Sequence, residues 1–273
     1  MMQTIKNKRA AFRELHERGC FVIPNPWDAG SARLFQHMGF TALATTSTGY
    51  AWTTGRPDYA LHLDDVLDHL NTICAAVDLP VNADFEFGFA RGPEELAINV
   101  GKAIETGIAG LSIEDRDADG TLFDIAFAAE RIRAARAAID RSGEDVTLVA
   151  RTENLLTDPT AIVPAIDKLV AFAEAGADCL YAPGVRDPGD IAAMVRAVAP
   201  KPINVVMSRP GLTLVELATL GVRRVSLGGA VARVAWAAVI RAMEQIKAGS
   251  FDGLAGGTQG HQLDEVFHSF CKS

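Results

Sequence analysis

The sequence has few of the residues that build metal or disulfide frameworks. Its four cysteines lie far apart and form no CxxC pair, so neither a zinc site nor a disulfide scaffold is expected. They are Cys20, Cys74, Cys179 and Cys271. The six histidines show no HExxH or similar spacing, and we expect them on solvated or helix surfaces.

Long apolar runs and basic clusters are also missing. No segment approaches the ~20 consecutive apolar residues that cross a membrane, and the polar start lacks the apolar core of a signal peptide. Lysine and arginine are scattered through a chain of net charge −8, which leaves no basic face for a phosphate backbone. We therefore expect a cytoplasmic protein without a membrane or nucleic-acid partner.

The sequence does contain a regular alternation of strand-like and helix-like patterns. Of the 273 residues, 49% are hydrophobic, enough for one large core. Short apolar, β-branched runs are typical of buried parallel strands. They occupy residues 20–24, 42–46, 80–84, 110–114, 146–151, 179–182, 203–206 and 224–227.

Between these runs lie helical patterns, the clearest at residues 63–77, where apolar residues recur every three or four positions. Gly39, Gly107, Gly176 and Gly221 each stand between a helical run and a strand, as a left-handed helix cap requires. Eight strands alternating with about eight helices predict an α/β protein, a (β/α)8 TIM barrel. The first strand is not followed by a GxGxxG turn, which disfavours a doubly wound dinucleotide-binding sheet.

The chain is expected to divide into a barrel at residues 1–248 and a glycine-rich link with a short helix at 249–273. The apolar face of that short helix cannot be buried within the segment itself. We expect it to pack on the barrel or on a neighbouring subunit, and the sequence leaves both open.

The predicted strands end repeatedly in polar or charged residues, where TIM barrels place their active sites. Asp84 and Glu114 end two neighbouring strands, and paired carboxylates either share a proton or hold a hard divalent cation such as Mg²⁺. Arg151, on the next strand, would bind a substrate carboxylate or phosphonate with its guanidinium fork. The alternative is an ion pair of Arg151 with Glu114 or Asp84 that only stabilises the rim.

Three further groups at the strand ends are weaker candidates. Residues Thr46, Ser47, Thr48 and Gly49 could direct hydroxyl and amide groups onto an anionic oxygen, or could simply begin a polar loop. Asp58 lies in a Gly-Arg-Pro-Asp turn, and Asn204 lies within the seventh predicted strand.

These motifs resemble, in order and spacing, those of the isocitrate lyase/phosphoenolpyruvate mutase superfamily. The segments that carry the resemblance, between about residues 10 and 247, are Asn25-Pro26-Trp27-Asp28, Thr46-Ser47-Thr48-Gly49, Gly55-Arg56-Pro57-Asp58, Asn82-Ala83-Asp84, Ile113-Glu114-Asp115, Ala150-Arg151-Thr152 and Pro202-Ile203-Asn204.

The resemblance implies a Mg²⁺-dependent barrel enzyme, with Mn²⁺ as a substitute, that makes or breaks a C–C or P–C bond in a 2-oxo or 2-hydroxy acid. Asp84 and Glu114 then look like metal-site carboxylates, Asp58 and Arg151 like catalytic residues, and residues 46–49 with Asn204 like substrate-binding groups. It also implies a homotetramer or homodimer in which the last barrel helix, near residues 231–246, is swapped between subunits.

Two departures from the superfamily pattern narrow the chemistry. The pattern Asp-Ala-Asp is Asn82-Ala83-Asp84 here, which removes one negative charge near the metal unless Glu86 replaces it. The loop after Glu114 has neither the cysteine of the lyases nor the lysine of the mutases. We expect a lyase that decarboxylates or cleaves an oxaloacetate-like acid; the alternatives are a P–C bond enzyme and a non-catalytic 2-oxo-acid-binding homologue.

Overall fold

A computed structural model describes residues 3–271 as a nearly closed barrel of parallel strands. The strands are β1 (Phe21–Ile23), β2 (Leu43–Ala44), β3 (Val81–Asp84), β4 (Gly110–Glu114), β5 (Thr147–Arg151), β6 (Cys179–Tyr181), β7 (Ile203–Val206) and β8 (Arg224–Ser226). They pair in the order β1-β8-β7-β6-β5-β4-β3-β2, and the Ala44 amide donates to the Pro24 carbonyl at 3.0 Å across the remaining gap. The predicted TIM barrel is confirmed, with every strand within two residues of its expected ends.

Helices connect the strands and cover the barrel. They are α1 (Ile5–Glu17), α2 (Ala29–His37), α3 (Ser47–Thr53), α4 (Leu63–Ala76), α5 (Pro93–Glu105), α6 (Ile125–Ser142), α7 (Asn154–Thr157), α8 (Ile162–Glu174), α9 (Pro188–Val198), α10 (Leu214–Thr219), α11 (Ala230–Lys247) and α12 (Gly260–His268). Gly39 and Gly176 have φ of +86° and +101°, the left-handed geometry expected of helix caps before a strand.

A layer of polar side chains fills the barrel interior below the strand ends. Arg224 is 2% exposed; its Nε donates to Asn204 Oδ1 at 2.9 Å and its Nη1 to Asn82 Oδ1 at 3.3 Å. Asn204 donates in turn to Ser226 Oγ at 3.0 Å. The side-chain acceptors of Arg224 are neutral amide oxygens, and burial lowers its pKa. None of these four residues lines the cavity described below.

Two histidines are buried, and the expectation that they lie on solvated surfaces is wrong. His69 lies on the inner face of α4, where its ring stacks on Tyr50 with centroids 3.8 Å apart. His16 packs edge-on against Phe12 and Phe21. Burial lowers the pKa of His16 to about 3 and that of His69 to about 4. Both rings are therefore uncharged near neutral pH and serve in packing, because desolvation favours the neutral imidazole.

The last part of the chain packs on the barrel. After α11 come a 3-10 helix (Asp252–Leu254) and α12, which lies against α2 with the Arg33 guanidinium 5.4 Å from the Phe270 ring centre. Packing on the barrel is one of the two destinations that the sequence leaves open for this segment. The division at residue 248 stays a prediction, and residues 272–273 lie outside the described part. Among residues 3–271, no helix is long and apolar enough to cross a membrane.

Candidate active site

The carboxyl ends of the strands surround a cavity of about 570 Å³. It brings together the predicted residues Thr46, Ser47, Thr48, Asp58, Asp84, Glu114 and Arg151. Two predicted residues do not line it. Gly49 is packed so closely that an added Cβ would lie 2.6 Å from Thr46 Cγ2, and Asn204 belongs to the Arg224 layer below.

Asp84 is held at the end of β3 by the turn that begins α3. The backbone amide of Ser47 donates to Asp84 Oδ2 at 3.0 Å and the Ser47 hydroxyl donates to the same oxygen at 2.9 Å. The Asp84 amide donates to Thr45 Oγ1 at 2.9 Å. The Thr46 side chain caps α3 through the Gly49 amide. Ser47 therefore orients the carboxylate, and Asp84 Oδ1 faces Arg151 of β5.

Glu114 ends β4 and is 2% exposed. Its Oε2 accepts from the Tyr59 hydroxyl at 2.9 Å, and its Oε1 lies 2.9 Å from Arg151 Nη1. Burial raises the pKa of Glu114 above its usual range, although the nearby guanidinium opposes this shift. Glu114 is therefore a buried carboxylate. One of its oxygens accepts a hydrogen bond from the Tyr59 hydroxyl, and the other pairs with the Arg151 guanidinium.

Arg151 ends β5 and binds three carboxylates. Besides Glu114, its Nη1 lies 3.5 Å from Asp84 Oδ1 and its Nε donates to Glu153 Oε1 at 2.5 Å. The Tyr181 ring centre is 5.2 Å from the guanidinium carbon. The rim ion pairs considered from the sequence are both present. They leave Arg151 facing the cavity, where it can also bind an anion.

Asp58 and Tyr59 lie on the loop between α3 and α4, at the mouth of the cavity. Partial burial and the charge of Asp84 raise the Asp58 pKa, while Thr48 and Arg151 oppose this shift. Tyr59 has φ of +61°, and the Arg116 guanidinium carbon lies 3.9 Å from its ring centre. Sequence reasoning missed Tyr59 and Arg116, because no spacing rule places the loop after β2 beside the loop after β4.

The loop after β4 is anchored by Asp115, which is 2% exposed. Its Oδ2 accepts from Lys168 Nζ at 2.6 Å and from Thr152 Oγ1 at 2.7 Å, and its Oδ1 accepts from the Glu153 amide at 2.8 Å. Sequence reasoning missed Lys168 as well, because it lies on a helix that packs outside the barrel. This ion pair fixes the segment that carries Glu153 beside Arg151.

The wall on the other side of the cavity is apolar, and basic side chains lie at its opening. Its apolar lining includes Leu156, Val185, Ile191, Met207 and Leu212. Arg186, Arg209 and Arg233 lie around the opening. Leu156 follows β5 and the others follow β6, β7 and β8, where the sequence shows no motif that marks them.

From the sequence, Glu86 is expected only to replace the negative charge that is missing at Asn82. In the structure its side chain is completely buried. It is 0% exposed, and burial together with the charges of Asp84 and Asp58 raises its pKa to about 8. Neither of its carboxylate oxygens has a hydrogen-bond partner within residues 3–271. A buried carboxyl group without a partner is rare in folded proteins.

The donor set of this cavity suits a hard divalent cation. All candidate ligand atoms on Asp58, Asp84 and Glu114 are carboxylate oxygens, which Mg²⁺ and Mn²⁺ prefer. Across the described residues, no three acidic, histidine or cysteine side chains form a preformed metal cage. Mg²⁺ does not need one, because it commonly binds one or two protein carboxylates and keeps several waters. A bound cation would also offset the charges of Asp84 and Asp58, which together with burial raise the pKa of Glu86.

Comparison with known proteins agrees with the geometry. A family model described as phosphoenolpyruvate phosphomutase matches residues 12–247. A Burkholderia cenocepacia J2315 protein, classed provisionally as a lyase/mutase, has a crystal structure with a TM-score of 0.93 and 46% identity, covering 97% of each chain. An oxaloacetate decarboxylase of Pseudomonas paraeruginosa is 31% identical over 81% of this chain and 79% of its own. A structure of oxaloacetate acetylhydrolase with oxalate has a TM-score of 0.84 and 28% identity, covering 96% of this chain and 94% of its own.

Proposed function

The chain belongs to the phosphoenolpyruvate phosphomutase family, and from that premise we propose that it is a divalent-cation-dependent lyase that decarboxylates an oxaloacetate-like 2-oxo acid. The observation that carries the proposal is the position of Arg151 Nη1, 2.9 Å from Glu114 and 3.5 Å from Asp84 on one cavity wall. A guanidinium fork beside oxygen ligands suits a substrate with both a carboxylate and an oxo group.

Asp84 and Glu114 would hold Mg²⁺ or Mn²⁺ in this proposal, and Asp58 would face it from the mouth. The bound cation would supply positive charge next to the substrate oxo oxygen, where negative charge develops. Ser47 contributes by fixing the Asp84 carboxylate through two hydrogen bonds. Tyr59 holds the Glu114 carboxylate through one hydrogen bond.

Decarboxylation needs few further groups from the protein. The C3–C4 bond of oxaloacetate breaks, its electron pair forms an enolate, CO₂ leaves, and a proton from water is added at C3 to give pyruvate. Arg151 would bind the C1 carboxylate and keep the breaking bond aligned with the carbonyl. The apolar wall around Leu156, Val185 and Met207 would exclude water from the charged groups.

The loop after β4 favours this reaction over those that need a reactive side chain there. Residues 116–122 contain neither cysteine nor lysine, and the loop presents Arg116 against Tyr59. Hydrolytic cleavage of oxaloacetate to oxalate and acetate is a second candidate, supported by the similarity to oxaloacetate acetylhydrolase. A P–C bond reaction with Asp58 near phosphorus is the third.

Product analysis tests the proposed function. Purified protein with oxaloacetate and Mg²⁺ should form pyruvate well above a blank with Mg²⁺ alone, and EDTA should remove the difference. Oxalate and acetate would instead indicate hydrolytic cleavage, and phosphate or phosphoenolpyruvate from phosphonopyruvate would indicate P–C chemistry. Tight oxalate binding without turnover of any of these substrates would identify a binding protein and contradict the proposal.

We also propose that the protein is a homo-oligomer, a tetramer or dimer, in which α11 packs on a second copy. Val239, Ile240 and Met243 on this helix are more than half exposed, and Trp236 is 42% exposed. Such an apolar face is typical of a subunit interface. Light scattering should give an oligomeric mass, and Ile240→Asp should lower it. A wild-type monomer at tens of micromolar would contradict this proposal.

A further inference from the structure

The candidate cavity is larger than oxaloacetate needs. Its volume of about 570 Å³ lies within the range of about 300–1,000 Å³ that is typical of sites for drug-sized ligands. Oxaloacetate is much smaller than such ligands, and at Asp84, Glu114 and Arg151 it would contact only one side of the cavity. The remaining space is lined by segments that follow β6, β7 and β8. A longer substrate would fill this space.

The two sides of the cavity differ in charge. Within the described part of the chain, the acidic residues that line it are Asp58, Asp84 and Glu114, and all three come before β5. From Leu156 onward the described lining contains no acidic residue, but it includes three arginines. In a chain of net charge −8, this side of the opening is therefore locally basic and would attract an anionic group.

Two of these arginines are brought to the same part of the opening. Arg233, in the first turn of α11, donates from Nη2 to the Ser208 carbonyl at 2.8 Å. Arg209 follows Ser208 directly and also lines the cavity. None of the salt bridges within residues 3–271 includes either arginine. Both guanidinium groups can therefore bind a carboxylate of the ligand.

The carboxylate that leaves oxaloacetate as CO₂ is a poor partner for these arginines. Ion pairs with it would stabilise the charge that decarboxylation removes, and this would slow the reaction. The apolar side chains on the same side of the cavity, among them Val185 and Met207, suit methylene groups instead. The arginines therefore fit a further carboxylate that an apolar chain connects to the reacting end.

We propose that the substrate is an oxaloacetate substituted at C3 by an apolar chain that ends in a carboxylate, and that Arg209 and Arg233 bind this terminal carboxylate. The 2-oxo acid end would bind at Arg151. The bond that breaks is unchanged: the C3–C4 electron pair forms the enolate, CO₂ leaves, and a proton from water is added at C3. The product is then an unbranched 2-oxo diacid. This inference rests on the proposed function, to which it adds the class of substrate.

Binding of product-like 2-oxo acids tests the inference without turnover. Titration calorimetry with Mg²⁺ present compares 2-oxosuberate with two controls. One is 2-oxooctanoate, which has the same chain length but no terminal carboxylate; the other is 2-oxoglutarate, which has the same charge on a shorter chain. We expect 2-oxosuberate to bind about 10- to 100-fold more tightly than either, as hydrogen bonds to a charged group predict. General attraction of anions to a basic opening would not favour 2-oxosuberate over 2-oxoglutarate.

Variants of the two arginines locate the terminal carboxylate. The double variant Arg209→Gln, Arg233→Gln should bind 2-oxosuberate less than about threefold more tightly than 2-oxooctanoate. Arg196→Gln, which removes the same charge from an exposed position on α9 outside the cavity, should keep the wild-type preference. A preference that survives in the double variant would overturn the proposal, as would equal affinities of the wild-type protein for the three acids.

Failure of this inference can be distinguished from failure of the proposed function. Pyruvate formation from oxaloacetate without a preference for 2-oxosuberate would contradict only the inference about the substrate chain. A preference that depends on Arg209 and Arg233, without pyruvate formation, would support the terminal-carboxylate site and contradict only the proposed reaction.

Discussion

Arg151→Lys should lower kcat/KM for oxaloacetate decarboxylation roughly 100- to 1,000-fold while the protein remains folded, the loss seen when one charge-stabilising donor is removed. Lysine keeps the positive charge beside Glu114 but cannot bind a carboxylate through two parallel hydrogen bonds. The effect should therefore fall on the reaction more than on the barrel. Steady-state kinetics with Mg²⁺, together with the melting temperature, measure the two separately.

The matched control is Arg186→Lys, the same change at an exposed arginine in the same cavity. It should change kcat/KM by less than about tenfold, because that side chain has no fixed carboxylate partner among the described residues. If Arg151→Lys kept a third or more of wild-type activity, Arg151 would be only a rim ion pair. The alternative interpretation of the sequence would then be correct.

Lys168→Met should destabilise the protein by about 3–5 kcal/mol, because it leaves Asp115 charged and buried without its cation. Lys168 Nζ lies 2.6 Å from Asp115 Oδ2, and both side chains are under 10% exposed. Since Asp115 also holds the Glu153 amide, activity should fall as the segment beside Arg151 loosens. Denaturant unfolding monitored by circular dichroism measures the free energy.

Two further variants show whether the effect belongs to the pair. Lys102→Met, at an exposed position on α5, should change stability by less than about 0.5 kcal/mol. Asp115→Asn combined with Lys168→Met should cost less than the sum of the two single changes, because the double variant leaves no buried charge unpaired. Additive losses would contradict a coupled buried ion pair.

Much of the barrel follows from local pattern. The apolar runs that became β4 and β7 coincide with their predicted bounds, and the glycines before strands adopt the left-handed geometry that a helix cap needs. Asp84, Glu114 and Arg151 could be placed together because parallel strands put their carboxyl ends on one rim. Strand order and residue type were sufficient for that part of the site.

The rest depends on contacts between segments that are far apart in the sequence, which no local pattern encodes. Tyr59 meets Glu114 across 55 positions of sequence, and Lys168 meets Asp115 across 53. His69 has the spacing of the buried face of α4, but its stacking on Tyr50 of α3 is not encoded in that spacing. Asn204 ends in the Arg224 layer because its strand position faces the barrel interior. Such pairings are set by the tertiary packing of distant segments, which one sequence does not show.

The central claim is that Asp84 and Glu114 jointly hold a divalent cation beside Arg151. Anomalous diffraction from crystals soaked with Mn²⁺ and oxalate tests it most directly. We predict an anomalous peak next to the carboxylates of Asp84 and Glu114, with oxalate between the metal and the Arg151 guanidinium. A peak elsewhere, or oxalate bound by Arg151 with no metal beside those carboxylates, would contradict the account.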